Sequence, residues 1–237
     1  MDIGLSLVAW QSRTDLPRFC LKIGYRDDRT GGHPLISRRN IALGLVATTG
    51  LASPVGAAVR TPKQTAGPFY PKVLPSESDA DLVRIGTGPA ATGEEIEVTG
   101  RLLGLDGRPI GGGIVELWQA NAYGRYSNSR AASIGPLDPN FQGYGVVETD
   151  DEGRYRFLTI KPGEYPGRTR HLHFKVRGPG FESLVTQMYF AGEPANERDF
   201  IRKRIRDPEA RASVTVAFAP SAESEVPSGQ FDIVVGQ

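Results

Sequence analysis

From about residue 96 to the C-terminus, apolar residues fall in short runs that alternate with polar ones and break at clusters of Gly, Pro, Asp and Asn. Alternation with a period of two over residues 96–103 predicts a strand, and Asp106-Gly107 supplies the turn that ends it. The same pattern predicts strands over 113–120, 143–149, 154–160, 171–177, 184–190, 213–218 and 231–235. Asp150 to Gly153, between two of these runs, is a hairpin signal. Only 197–206 carries a helical pattern. Many short strands separated by frequent turns predict an all-β fold, a β-sandwich with one short helix and long loops. Residues 61–78 contain Pro62, Pro68, Pro71 and Pro75, which fix φ and remove backbone donors, so an extended arm is expected there.

Composition agrees with this picture and narrows the chemistry. The 237 residues suffice for one sizeable core or two small ones, and 29 glycines with 18 prolines favour a turn-rich chain. Eight Lys/Arg and four Asp/Glu fall in residues 1–60, which leaves 20 and 23 for the remainder. The main body is thus slightly acidic and gives no electrostatic reason to expect a nucleic-acid partner. The only cysteine is Cys20, so a metal in the main body must be held by His, Tyr, Asp or Glu.

The positive N-terminus reads as an address. Arg38-Arg39 follows Ser37 and precedes an apolar, small-residue stretch that runs to Ala58, with Val55-Gly56-Ala57 at a plausible cleavage point. This resembles a bacterial twin-arginine export signal over residues 36–58, and it implies a periplasmic or secreted protein that engages the Tat machinery. The stretch is too short and too broken for a comfortable membrane span. Residues 1–35 show no periodicity and are expected to be a disordered upstream segment, leaving 59–237 as the globular domain.

His171-Leu172-His173 opens a predicted strand. Side chains alternate across a strand, so both imidazoles share one face and Leu172 takes the other. They are the only histidines of the main body, and two neutral imidazoles on one face can hold a transition metal. The remaining donors are then oxygens. A phenol ionises near pH 10 and ligates at neutral pH only when a strongly Lewis-acidic ion displaces its proton, as ferric iron does. Tyr70, Tyr123, Tyr126, Tyr144, Tyr155, Tyr165 and Tyr189 are all available, and residue chemistry does not choose among them. Tyr165 stands out for lying on a tight Gly- and Pro-rich loop just before the histidines.

Several motifs occur in one order: Leu117-Trp118-Gln119-Ala120-Asn121, Gly124-Arg125-Tyr126, Leu137-Asp138-Pro139-Asn140-Phe141, Lys161-Pro162-Gly163, Tyr165-Pro166, Arg168 three residues before His171-Leu172-His173, and Thr186-Gln187 before Tyr189-Phe190. Together they resemble the intradiol ring-cleavage dioxygenases, in particular the iron-bearing β-type chains of protocatechuate 3,4-dioxygenase. The resemblance covers residue 61 to the C-terminus. It implies iron(III) held by Tyr126, Tyr165, His171 and His173, and insertion of O2 between the two hydroxyl-bearing carbons of a catechol to give a muconate-type diacid. It further implies a general-base role for Tyr165, charge stabilisation by Arg168, and a place for Gln187 near the iron. Trp118 is expected in the core. The segment Thr65 to Tyr70 resembles one that lines the substrate pocket, which makes Gly67, Pro68 and Tyr70 candidate substrate contacts. Gly167 stands where protocatechuate enzymes usually carry a bulky aromatic, so a wider pocket and a substituted or larger catechol are expected. A homo-oligomer is among the expected assemblies. The competing readings are a metal-free β-sandwich binding module of the cell envelope and a metalloenzyme of this fold with other chemistry.

Overall fold

The computed structural model describes residues 58–127, 135–222 and 224–236. The upstream segment and residues 36–57 of the expected export signal lie outside the described residues. Two sheets, each mixing antiparallel and parallel pairings, pack face to face. One contains β1 (Glu95–Gly104), flanked on one edge by β4 (Arg154–Ile160) and on the other by β8 (Ser228–Gln230) and β9 (Ile233–Val235), both parallel to β1. The other sheet has the order β3 (Tyr144–Glu148), β2 (Ile114–Trp118), β5 (His171–Gly178), β6 (Phe181–Phe190) and β7 (Thr215–Val216). This is the expected β-sandwich, and the one α-helix among the described residues, α1 (Pro208–Ser213), is short.

Alternation decides which side chains fill the space between the sheets. Ile96, Val98 and Leu102 from β1 and Phe157 from β4 meet Val115 and Leu117 from β2 and Leu172, Phe174 and Val176 from β5, all fully buried. Phe174 sits at the centre, with its ring centroid 6.4 Å from Phe157 and 5.1 Å from Phe231. The opposite face of the five-stranded sheet therefore receives the alternate residues, among them Glu116, Trp118, His171 and His173. The arm covers that face in an extended, irregular conformation, as expected, and ties to β6 through Gln64 N–H donating to the Val185 carbonyl at 2.8 Å.

Three expectations are corrected. The Asp150–Gly153 turn forms, with Gly153 N–H donating to the Asp150 carbonyl at 2.8 Å, but it does not make a hairpin. Its flanking strands enter different sheets, β3 pairing with β2 and β4 with β1. The chain crosses here because β3 lies against the β2 edge, with Gly112 N–H donating to the Thr149 carbonyl and Thr149 N–H donating to the Gly113 carbonyl, while Gly153 accepts from Leu102 of β1. The helix expected at 197–206 is instead two 3-10 turns, Pro194–Glu197 and Arg202–Arg204. The Asp199 carboxylate binds the N–H groups of Ile201 and Arg202 at 2.9 and 2.8 Å and so stops a continuous helix. The α-helix begins later, where Asp207 caps the Glu209 N–H at 2.9 Å and Pro208 occupies the first turn. That helix consumes the start of the strand expected at 213–218, which shrinks to Thr215–Val216.

Candidate metal centre

Strand register assembles the site in rows. Trp118, His173 and Gln187 are direct cross-strand partners on β2, β5 and β6, and His171 pairs with Tyr189 in the next row. Directly paired residues of antiparallel strands lie on one face, so the two imidazoles sit side by side, 4.9 Å between ring centroids, with Leu172 in the core behind them. Trp118 is buried as expected and also stacks on His173, at 4.7 Å and 10°.

The two tyrosine loops reach the histidines because glycines let them touch. A Cβ on Gly124 would lie 2.2 Å from the Glu164 carbonyl oxygen, and one on Gly163 would lie 2.3 Å from the Gly124 nitrogen. Only glycine tolerates those approaches, and Gly124 also has φ +79°. Tyr126 and Tyr165 are thereby brought to 5.9 Å between rings, and Phe69 of the arm stacks on Tyr126 at 4.6 Å.

Both phenol oxygens converge on one ring nitrogen. Tyr126 and Tyr165 oxygens lie 3.4 and 3.3 Å from His171 Nε2. His171 Nδ1 lies 2.6 Å from the Thr169 carbonyl oxygen, which can only accept, so Nδ1 carries the proton and Nε2 presents its lone pair to the tyrosines. One lone pair cannot satisfy two phenols. His173 Nδ1 is buried with no hydrogen-bond partner among the described residues. Burial, helped by the Arg168 charge, depresses the His171 imidazole to about 3 and takes His173 well below its ordinary value. Burial pushes the Tyr126 phenol far up, and it raises Tyr165 against the opposing pull of the Arg168 guanidinium.

The residues fit a single highly charged cation. The imidazoles are neutral, as ligands must be, and one of them is oriented by a backbone carbonyl in the way ligating histidines usually are. Separations of 3.3–3.4 Å are long for hydrogen bonds but suit atoms sharing an ion at about 2 Å. No group of three or more His, Cys, Asp and Glu converges among the described residues, and the groups that do converge here are the two imidazoles and the phenols of Tyr126 and Tyr165.

Arg168 lies beside this set. Its guanidinium donates from Nε to Asp199 at 2.8 Å, from one terminal nitrogen to Gln187 Oε1, and from the other toward the Tyr165 oxygen at 3.4 Å. Gln187 also donates to the Thr65 carbonyl at 2.9 Å, and Gln64 donates to the Tyr189 hydroxyl at 2.7 Å, which fastens the arm to the site. Gly67 packs against His173, since a Cβ there would lie 3.7 Å from Cε1. Pro68 is exposed beside it, and Gly167 lies on the rim of a cavity of about 370 Å³ that Tyr165 and Arg168 also line. Tyr70 is placed differently. It packs edge-on against Trp118, and its hydroxyl donates to the buried Glu116 carboxylate at 2.6 Å rather than facing the histidines.

Sequence reasoning missed Asp199, Thr169, Phe69 and Gln64. Phe69 and Gln64 had a signal, being on the arm segment already singled out. Asp199 had none, because an acid in an apparent helix reads as a solvated face.

The chain is similar to known proteins in sequence and in fold. Residues 65–236 match the model of the Dioxygenase family. Over 110 residues the chain is 54% identical to the protocatechuate 3,4-dioxygenase beta chain of Burkholderia cepacia, covering 43% of this chain and 47% of that one. It is 33% identical over 153 residues to the 6-chlorohydroxyquinol 1,2-dioxygenase of Cupriavidus pinatubonensis, covering 57% and 52%. The chain thus spans about half the length of these curated relatives. Among solved structures, the dioxygenase domain of a dioxygenase–carbohydrate-binding protein fusion from Streptomyces sp. SirexAA-E matches with TM-score 0.56 and 31% identity, covering 74% of this chain and 97% of that one. Catechol 1,2-dioxygenase from Acinetobacter sp. ADP1 matches with TM-score 0.57 and 26% identity, covering 75% and 63%. The chain belongs to the intradiol ring-cleaving dioxygenase family.

Proposed function

We propose that the chain is an iron(III)-dependent intradiol dioxygenase that cleaves a substituted catechol, with Tyr126, Tyr165, His171 and His173 holding the metal. The observation that carries this reading is the convergence of two phenols, one buried and one half-buried, on the lone pair of His171 Nε2. The overall reaction adds both atoms of O2 to the catechol. The bond between the two hydroxyl-bearing carbons breaks, each carbon becomes a carboxyl carbon, and the two phenolic protons end on the new carboxyls. The bound ion would supply Lewis-acid polarisation and a template for the two substrate oxygens.

The chain's own groups divide the remaining work. Tyr165 is half-buried where Tyr126 is fully buried, so it is the phenol an incoming substrate reaches first. Its oxygen is the candidate acceptor for a substrate proton. Arg168, held by Asp199 and Gln187, places a fixed positive charge beside that oxygen and stabilises negative charge developing there. Trp118 and Phe69 cover the histidine and tyrosine rings and exclude water. Gly67 and Pro68 of the arm form the adjoining wall.

The likeness to a protocatechuate 3,4-dioxygenase beta chain supports a catechol-type substrate. Oxygen uptake across a panel of catechols, with the ring-opened diacid identified, tests the reading. Uptake with a diacid product supports it, and a panel with no uptake by the iron-loaded protein rejects it.

We further propose that residues 36–58 direct export through the twin-arginine route, which carries folded proteins and so suits a cytoplasmically loaded cofactor. Arg38-Arg39 and the small-residue stretch after it support this. Replacing both arginines by lysine should retain the protein in the cytoplasm, and unchanged delivery to the periplasm would reject the signal.

A further inference from the structure

Glu116 lies on β2 two residues before Trp118, so both side chains leave the same face of the strand. Its carboxylate is not part of the metal centre, yet the residue is only 3% exposed, which a charge tolerates only when it is well paired. Four groups pair it. The Tyr70 and Tyr144 hydroxyls donate to Oε2 at 2.6 and 3.1 Å, and the Lys175 ammonium and Arg177 guanidinium lie 3.3 and 3.4 Å from Oε1. Three of these come from the sheet itself, Tyr144 from β3 and the two cations from β5. Tyr70 alone comes from the arm. Lys175 reinforces it, donating to its hydroxyl at 3.3 Å and lying 5.0 Å from its ring centroid.

This fastening bears on the metal site by two routes. The residue before Tyr70 is Phe69, which stacks on Tyr126 at 4.6 Å. The Tyr70 ring itself meets Trp118 edge-on at 4.9 Å, and Trp118 stacks on His173 at 4.7 Å. The near end of the arm is held separately, by Gln64 on the Tyr189 hydroxyl and by the Thr65 carbonyl on Gln187. Gly67, Pro68 and Phe69 run between these two attachments.

We infer that Glu116 is a positioning residue: by binding the Tyr70 hydroxyl it anchors the far end of the arm and holds the Gly67–Phe69 wall over the metal site. Its effect on turnover rests on the proposed dioxygenase reading, and its effect on the arm does not. Losing one hydrogen bond to a charged group is enough to raise the population of a released arm about tenfold or more.

The test compares the wild type with Tyr70→Phe, Glu116→Gln and Tyr144→Phe. Tyr144→Phe is the control, because it removes a hydroxyl from the same carboxylate oxygen but leaves the arm's own bond in place. Limited chymotrypsin digestion reads release of the arm as cleavage after Phe69, and cleavage after the buried Phe174 reads global unfolding. Cleavage after Phe69 should be about tenfold faster or more in Tyr70→Phe and faster in Glu116→Gln, with Tyr144→Phe like the wild type and cleavage after Phe174 unchanged in Tyr70→Phe. With catechol as substrate, Tyr70→Phe should raise KM about tenfold and change kcat less, since the wall contributes binding rather than chemistry. Should Glu116→Gln fail to fold, Tyr70→Phe against Tyr144→Phe still decides. Either readout unmoved in Tyr70→Phe, or an equal effect in Tyr144→Phe, overturns the role of Glu116. A wild-type protein that cleaves no catechol counts instead against the dioxygenase reading, and the digestion pattern then decides the anchoring by itself.

Discussion

Asp199→Ala should be among the most damaging single changes outside the donor set. The carboxylate is fully buried and paired with an almost fully buried guanidinium, with side-chain exposures of 0% and 6%. Its two oxygens accept four bonds: Arg168 Nε and the Thr169 N–H on one, the Ile201 and Arg202 N–H groups on the other. Truncation leaves a buried guanidinium without its counter-charge, a loss of about 3–5 kcal/mol. For a chain of this size that corresponds to a fall in Tm on the order of 10 °C. The change also frees Thr169, whose carbonyl orients His171, so kcat/KM should fall by about 10²-fold in whatever protein folds. Urea denaturation of the wild type, Asp199→Ala, Arg168→Ala and the double variant measures the stability effect. The double variant should be more stable than the sum of the single losses predicts, by at least about 1 kcal/mol, because removing Arg168 abolishes the stranded charge. A single loss below about 1 kcal/mol, or strict additivity, would refute the claim that this pair fixes the site.

Other consequences follow from the same geometry. Tyr165→Phe should retain the fold, shift the visible absorption of the iron-loaded protein and lower kcat by about 10²-fold or more, and unchanged turnover would exclude Tyr165 from proton transfer. Gly163→Ala should cost several kcal/mol, on the order of 3, and reduce iron affinity, because its methyl would sit 2.4 Å from the Ala122 carbonyl oxygen and drive the two tyrosine loops apart. An iron stoichiometry and melting temperature equal to wild type would contradict that. The metal-free protein should lose stability on acidification from pH 7 to 5. The unfolded histidines take up protons near pH 6.5, whereas buried His171 resists down to about 3 and His173 resists as well, so each contributes a slope approaching about 1.4 kcal/mol per pH unit below 6.5. Urea midpoints that do not move over that interval would show that the imidazoles are not buried neutral.

How much of this was legible in the chain depended on whether local pattern or tertiary register decided it. The facing of His171 and His173 was legible because it needs only the period of a strand. That Trp118 and Gln187 flank His173 was not, since cross-strand register depends on how three separate strands align. Tyr126 stood out only by resemblance and Tyr165 also by its tight loop; what brings them together, the backbone contact between Gly124 and Gly163, is a long-range approach that no local pattern encodes. The turn at Asp150–Gly153 was read correctly as a turn, but a tight turn does not say whether its strands pair or part between layers. Asp199 was hidden because its partners, Arg168 and Thr169, come from the loop before β5 rather than from its own segment.

Titrating the metal-free protein with ferric iron, and following the visible spectrum, tests the central claim most directly. If Tyr126 and Tyr165 join His171 and His173 around one ion, a phenolate-to-iron(III) charge-transfer band should grow linearly and stop at one equivalent. A protein that stays colourless through several equivalents would contradict the four-residue centre.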